Sequence, residues 1–313
     1  MAELNDFFEN KDFFGAIGMQ NMSAPLSDAP YTCSPINGYH VFSTKPFFSN
    51  KENTGKLLSL TDFELKTAEL SALCWKRYNG PIYLITDAQG EAYFKENGLE
   101  YAYDGILPIL DNISYGIKST RYWASGKIEA LKLLKTPCAI IDLDLIVWEP
   151  LELQKSKLTV THTEHIADFI YPAFSYFDMS PRYTFPAEWD ETAEPFNTSF
   201  NYIADEALKA SYTREAIRFM QFERDTMDNG VKCMVFAEQR ILAMCAKAMG
   251  IEAQTLIDYD DLLAPQSYLT HIWSAKSLIS GSEEIRNKYI ELCAEKIEDL
   301  KSRLENAHNK NQR

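Results

Sequence analysis

The stretch that most constrains this chain is Lys135-Thr136-Pro137-Cys138-Ala139-Ile140-Ile141-Asp142-Leu143-Asp144-Leu145-Ile146-Val147-Trp148-Glu149-Pro150. Between Pro137 and Pro150, an apolar run without alternation reads as a short, fully buried strand over 138–141. It runs directly into two carboxylates, which are costly to desolvate unless a cation or hydrogen-bond donors receive them. In extended backbone residues i and i+2 face one side, so Asp142 and Asp144 can converge on one ion. Carboxylate oxygens suit a hard divalent cation such as Mg²⁺ or Mn²⁺. A lone D-x-D also describes an acidic strand end that caps a neighbouring loop, so the flanking segments have to decide.

Upstream, residues 38–44 form a strand candidate stopped by Lys45-Pro46, with His40 expected in the core. Residues 61–78 carry Leu65, Ala68, Leu70, Leu73 and Trp75 at helical spacing, with Thr61 or Asp62 as cap and Glu64 near the third position. Gly80-Pro81 ends that helix, 82–87 is a second strand ending in an acid, 91–97 is a short helix closed by Gly98, and 99–103 begins another strand or extended segment. Residues 119–134 read as the helix leading into the D-x-D strand. Such alternation predicts an α/β fold, a mainly parallel sheet flanked by helices.

After Pro150 the pattern changes. Residues 158–163 and 196–203 are strand candidates, separated by an irregular, aromatic and proline-punctuated insertion at 164–195 that suits a pocket wall or lid. Helices are predicted at 208–224 and 235–249, a short apolar piece carrying His271 at 269–273, and an amphipathic C-terminal helix at 282–308. The expected division is a leader at 1–37, a catalytic-type domain at 38–280 and a helical tail at 281–313 that packs on its own domain or mediates homo-oligomer formation.

Net charge is −14, and no basic stripe of the kind that binds nucleic acid is visible. An acidic protein that handles a phosphorylated ligand needs a metal, because its own field opposes the anion. Six scattered cysteines without a C-x-x-C pair suit reduced core thiols in a cytoplasmic protein. Residues 1–14 lack the make-up of a signal peptide, and no apolar run is long enough to span a bilayer.

Several of these stretches, taken in order, resemble GT-A-fold glycosyltransferases, the Rossmann-related fold of the glycogenin-like, D-x-D type. Ile141-Asp142-Leu143-Asp144 followed by Ile146-Val147 is similar to their D-x-D segment, and the helix bearing Lys127 resembles the one they place before it. Phe196-Asn197-Thr198-Ser199-Phe200 is similar to an F-N-[ST]-G acceptor-side turn, with Phe200 where a small residue is common. Glu238-Gln239 resembles their D-Q or E-Q pair, and His271 sits like a C-terminal histidine that completes the metal site. The resemblance covers roughly residues 38–280 and implies transfer of a sugar from a nucleoside-diphosphate sugar, a UDP-sugar first, to a saccharide or lipid-linked acceptor. A lipid-linked acceptor would bring the protein to the inner membrane face.

It further implies Mn²⁺ or Mg²⁺ held by Asp142, Asp144 and His271, with Asp142, Asp144, Lys127 and Thr44 toward the nucleotide sugar. Neutral imidazole suits Mn²⁺ better than Mg²⁺. Glu238 and Asn197 are the catalytic candidates: Glu238 as a general base, with Asp190 behind it, or Glu238 and Asn197 as groups that steady the sugar and position the acceptor. Two other readings use the same residues. A haloacid-dehalogenase-type phosphatase would use Asp142 as nucleophile, with Asp258, Asp260 and Asp261 as its later acids. A non-catalytic nucleotide-sugar-binding protein would keep the fold without turnover.

Overall fold

A computed structural model describes residues 21, 22, 24–27, 35–224, 230–262 and 268–311, so the leader expected at 1–37 lies mostly outside the described residues. The strands are β1 (Gly38–Phe42), β2 (Ile82–Thr86), β3 (Gly105–Leu107), β4 (Cys138–Ile141), β5 (Leu145–Val147), β6 (Leu158–Thr163), β7 (Phe196–Ile203), β8 (Gln254–Thr255) and β9 (Leu269–His271). The helices are α1 (Lys45–Ser49), α2 (Asp62–Tyr78), α3 (Ala88–Glu96), α4 (Ser125–Leu133), α5 (Glu206–Phe222), α6 (Gly230–Val235), α7 (Ile241–Ala248), α8 (Lys276–Gly281) and α9 (Glu283–Asn311).

The main sheet has the order β3-β2-β1-β4-β7-β6-β8, and β5 pairs with β9 in a separate ribbon. β1 to β4 are mutually parallel, β7 alone enters antiparallel, and β6, antiparallel to β7, runs with β4, as does β8 beside it. The protein is therefore an α/β structure with a mainly parallel seven-stranded sheet flanked by helices. The unalternating run in β4 has a simple cause. Ala139 and Ile141 enter the core shared with α2, α9 and the β5–β9 ribbon, while Cys138 and Ile140 enter the core shared with α4, α5 and α7. Both faces of the strand are covered, so both sets of side chains must be apolar.

Thr61 caps α2 through a reciprocal box. Its N–H donates to Glu64 Oε2 at 2.9 Å, and its hydroxyl accepts from Glu64 N–H at 3.4 Å. The C-terminal helix α9 lies on α2. Tyr289, Cys293, Ile297 and Leu300, spaced along one face, are each at most 1% exposed, and the Tyr289 hydroxyl sits 2.7 Å from Thr67 Oγ1. Among the described residues, no helix is long and apolar enough to cross a membrane.

Three expectations need correction. The strand expected at 99–103 is a 3₁₀ turn, Glu100–Ala102, and β3 starts at Gly105. Gly98 has φ +70° and the Leu99 N–H still bonds back to Phe94 O at 3.0 Å, so the helix cap uses the residues that looked extended. The helix expected at 119–134 starts only at Ser125, because Arg121 and Tyr122 are turned onto Glu223. The helix expected at 235–249 is present as α7, but the helical run starts earlier, at α6, and its segment Phe236–Arg240 is a π-helical turn between α6 and α7. Glu238 therefore lies within a helical run and not at its N-terminus.

Candidate active site

The carboxyl ends of β1, β2, β4 and β6 and the amino end of β7 meet at one edge of the sheet, where ligands of open α/β sheets bind. β4 stops at Ile141. Leu145 N–H donates to Asp142 O at 3.0 Å, closing a turn that throws β5 off the main sheet and onto α2. Asp142 and Asp144 thus converge through a turn, not through the i, i+2 geometry of a strand. β5 pairs antiparallel with β9, placing Leu145 opposite His271, and Ile272 N–H donates to Asp144 O at 3.1 Å. That register brings an imidazole from 127 residues downstream to the D-x-D turn. His271 Nε2 is 3.5 Å from Asp144 Oδ1, and one ligand atom each of Asp142, Asp144 and His271 lie within 4.8 Å of one another. All three residues are half-buried.

Two ammonium groups frame the acids. Lys127, from α4, lies 2.5 Å from Asp142 Oδ1 and 2.7 Å from Glu238 Oε1. Lys276, from α8, lies 2.8 Å from Asp144 Oδ2. The two aspartates respond oppositely. Burial, with Asp144 and Glu238 nearby, pushes Asp142 up to about 6 despite Lys127. Burial also acts to raise Asp144, but His271 and Lys276 overcome it and hold that carboxyl well below the usual range. Burial acts to lower Lys127, and Asp142 and Glu238 reverse this and raise it.

The π-helical turn presents three consecutive polar side chains inward. Glu238 meets Lys127. Gln239 Oε1 accepts from the Tyr171 hydroxyl at 2.5 Å, and Arg240 donates to Tyr171 O and Glu191 O at 3.4 and 2.6 Å. π-turns of this kind are frequent at functional sites.

Residues 49–295 match a family described as a family of unknown function, DUF6734. The chain belongs to that family. No curated protein matches it. Among solved structures, it is similar to the apo form of the glycosyltransferase GlyE of Streptococcus pneumoniae TIGR4 (14% identity, TM-score 0.34, 65% of this chain and 42% of that one). A further GlyE structure gives 14% identity and a TM-score of 0.36 over 73% and 46% of the two chains. The inositol-1-phosphate CTP transferase of T. maritima gives 12% identity and a TM-score of 0.41 over 85% and 97%. This DUF6734 chain spans less than half the length of the GlyE chains it matches.

The remaining predicted residues of this DUF6734 protein fall on either side of the acids. Thr44 is buried, and both its N–H and its hydroxyl donate to Asp87 at 2.8 Å. Asp87 also accepts from Ser43 and caps α3 through Gly90 N–H, so Thr44 joins the β1 and β2 loops. Asn197 starts β7 beside Glu164, whose Oε1 accepts its Nδ2 at 3.1 Å. Asp190 is held at the surface by Lys247 at 2.6 Å and by Thr192. Asp258, Asp260 and Asp261 are exposed. Sequence reading missed Lys276, Asp87 and Glu164. For Asp87 and Glu164 the available signal was an acid directly after a strand, the same one that marked Asp142.

Proposed function

We propose that this protein is a metal-dependent glycosyltransferase that moves a sugar from a nucleoside-diphosphate sugar, a UDP-sugar first, to a saccharide or lipid-linked acceptor. The observation that carries this reading is the convergence of Asp142, Asp144 and His271 at the carboxyl edge of an open α/β sheet. Two carboxylates and an imidazole fit a divalent ion, and the nitrogen favours Mn²⁺ over Mg²⁺. When bound, such an ion neutralises charge that develops on the departing diphosphate.

The chain's own residues do the rest. Asp144, kept ionised by its two neighbours, is the firmest ligand, with Asp142 and His271 completing the set. Lys127 links the ion side to Glu238 and steadies the carboxylate turn near the transferred sugar. Thr44 and Asp87 shape the nucleotide side, and Asn197 lies on the acceptor side. The imidazole also separates this reading from a phosphatase using Asp142 as nucleophile, since Mg²⁺ prefers oxygen ligands.

A thermal-shift screen of UDP-, GDP- and CMP-sugars and plain phosphomonoesters, with and without Mn²⁺, tests it. A ligand at a hundredfold excess over its dissociation constant stabilises by about 2.7 kcal/mol. One nucleotide sugar should stabilise the wild type only with Mn²⁺, and should not stabilise Asp144→Ala. Consumption of phosphomonoesters would turn the reading to a phosphatase. Binding of a nucleotide sugar without turnover across acceptors would turn it to a non-catalytic binder.

A further inference from the structure

His40 stands in the middle of β1, and the sheet register pairs it with Ile141, the residue that ends β4 immediately before Asp142. Its ring is fully buried, yet both nitrogens are engaged. Nδ1 lies 3.0 Å from the Tyr103 hydroxyl, and Nε2 lies 3.1 Å from Ser71 Oγ. Ser71, on α2, donates in turn to Leu145 O at 2.5 Å. A serine inside a helix commonly bonds back to a carbonyl of its own helix. This one reaches across to β5 instead.

In a neutral ring these contacts allow one set of directions. A carbonyl only accepts, so the single Ser71 proton goes to Leu145 O, and Ser71 Oγ accepts from His40 Nε2–H. Burial, working against the charge of nearby Asp144, keeps the imidazole neutral, so Nδ1 accepts from the Tyr103 O–H. Burial also raises the Tyr103 hydroxyl and keeps it protonated. The chain therefore runs from Tyr103 through His40 and Ser71 to Leu145 O, and each of its three side chains is at most 6% exposed.

The chain ends on the D-x-D turn. Leu145 follows Asp144 directly, closes the turn by donating its N–H to Asp142 O at 3.0 Å, and stands opposite His271 in the β5–β9 ribbon. Its two backbone polar groups are thus both fixed, the N–H inside the turn and the C=O by α2. The other end of the turn is fixed by the pairing of Ile141 with His40 itself. One residue ties down both ends of the turn that carries two ion ligands. It does so with polar groups inside the core that also holds Leu70, Leu84 and Phe94. Apolar side chains of similar shape in place of both partners of a buried hydrogen bond are nearly neutral for stability, so stability alone does not call for this chain. What a fully satisfied buried network adds is one fixed geometry.

We propose that the Tyr103–His40–Ser71 chain positions the D-x-D turn for ion binding, with His40 and Ser71 as positioning residues behind Asp142 and Asp144. This rests on the ion-binding reading above and extends it from the three ligands to the core beneath them. When the chain is broken, Leu145 is released from α2, Asp144 loses its fixed place relative to His271, and ion affinity falls while the fold persists.

The test titrates Mn²⁺ against the full chain by electron paramagnetic resonance at pH 7, with circular dichroism to confirm that each variant is folded. Ser71→Ala should weaken Mn²⁺ binding by about 10–100-fold, the usual effect of removing support around a metal site. His40→Leu should match it, whereas His40→Gln, whose amide NH₂ can still donate to Ser71, should recover part of the affinity. Leu300→Ala, which loosens the α9 core away from the turn, should bind Mn²⁺ as the wild type does. Should His40→Leu fail to fold, Ser71→Ala and His40→Gln decide. Folded Ser71→Ala with wild-type Mn²⁺ affinity, or an equal loss in Leu300→Ala, would overturn the positioning role. A wild type that binds no Mn²⁺ would instead overturn the ion site beneath it.

Discussion

Replacing Lys127 by Met removes the ammonium that bridges Asp142, 2.5 Å away, and Glu238, 2.7 Å away. Its side chain is 16% exposed, against 24% and 9% for its partners, so water cannot fully take its place. Removing one partner of a buried ion pair costs about 3–5 kcal/mol, because the remaining charge is left desolvated. Two such charges remain here, but Asp142 has a raised pKa of about 6 and can relieve the strain by taking a proton. The expected loss is therefore near the lower end, about 3 kcal/mol at pH 7.

The sign of its pH dependence follows. An acid whose folded pKa lies above the unfolded value destabilises the fold once pH rises past the unfolded value, with the full penalty above the folded one. Without Lys127 the folded pKa of Asp142 rises further, so acid should narrow the gap between wild type and variant by about 1–2 kcal/mol between pH 7 and pH 5. Urea unfolding followed by circular dichroism, with a chelator present, reads both numbers from the midpoints if the slope is unchanged. Adding Glu238→Gln to the Lys127→Met background should recover part of the loss. A cost below about 1 kcal/mol, or one that does not depend on pH, would refute the bridging role of this lysine.

Other expectations can be checked in the same way. His40 is fully buried, 3.0 Å from the Tyr103 hydroxyl and 3.1 Å from Ser71 Oγ, and burial pushes its pKa down to about 3. The unfolded chain then binds the extra proton between about pH 6.5 and 3, so stability falls with acid; between pH 7 and 5 the wild type should lose about 2 kcal/mol more than His40→Gln, and equal losses would contradict this. Leu300 is 0% exposed in the core that joins α9 to α2. Leu300→Ala should cost about 2–5 kcal/mol in urea unfolding, whereas a change under about 0.5 kcal/mol would mean that α9 is no part of the cooperative fold.

Much of the framework was legible because it depends on local rules. Pro137 and the apolar run announced β4, and Thr61 with Glu64 announced the start of α2. The gathering of the site was not local. His271 reaches Asp144 only through the β5–β9 register, which no periodicity announces, and it was placed there by resemblance. Glu238 looked like a helix-start acid because nothing in Phe236-Ala237-Glu238-Gln239 signals a π-helical turn. Tyr171 lies in the insertion, where aromatic packing sets the path of the chain: Phe185 stacks on Phe174 and meets Phe177 at a tilt, and all three rings pack on Phe236. Glu164 and Lys276 gain meaning only once β6 and α8 have their neighbours, although an acid immediately after the buried β6 strand obeyed the rule already applied to β4.

The central claim is that Asp142, Asp144 and His271 hold a divalent ion that receives a nucleoside diphosphate. Titrating Mn²⁺ against the protein by electron paramagnetic resonance, with and without UDP, tests it most directly, because the signal of free Mn²⁺ disappears on binding. One bound ion per chain is expected, held more tightly with UDP present, lost in Asp144→Ala and weakened at least about tenfold in His271→Ala. Equal Mn²⁺ binding by wild type and Asp144→Ala, or binding indifferent to UDP, would contradict it.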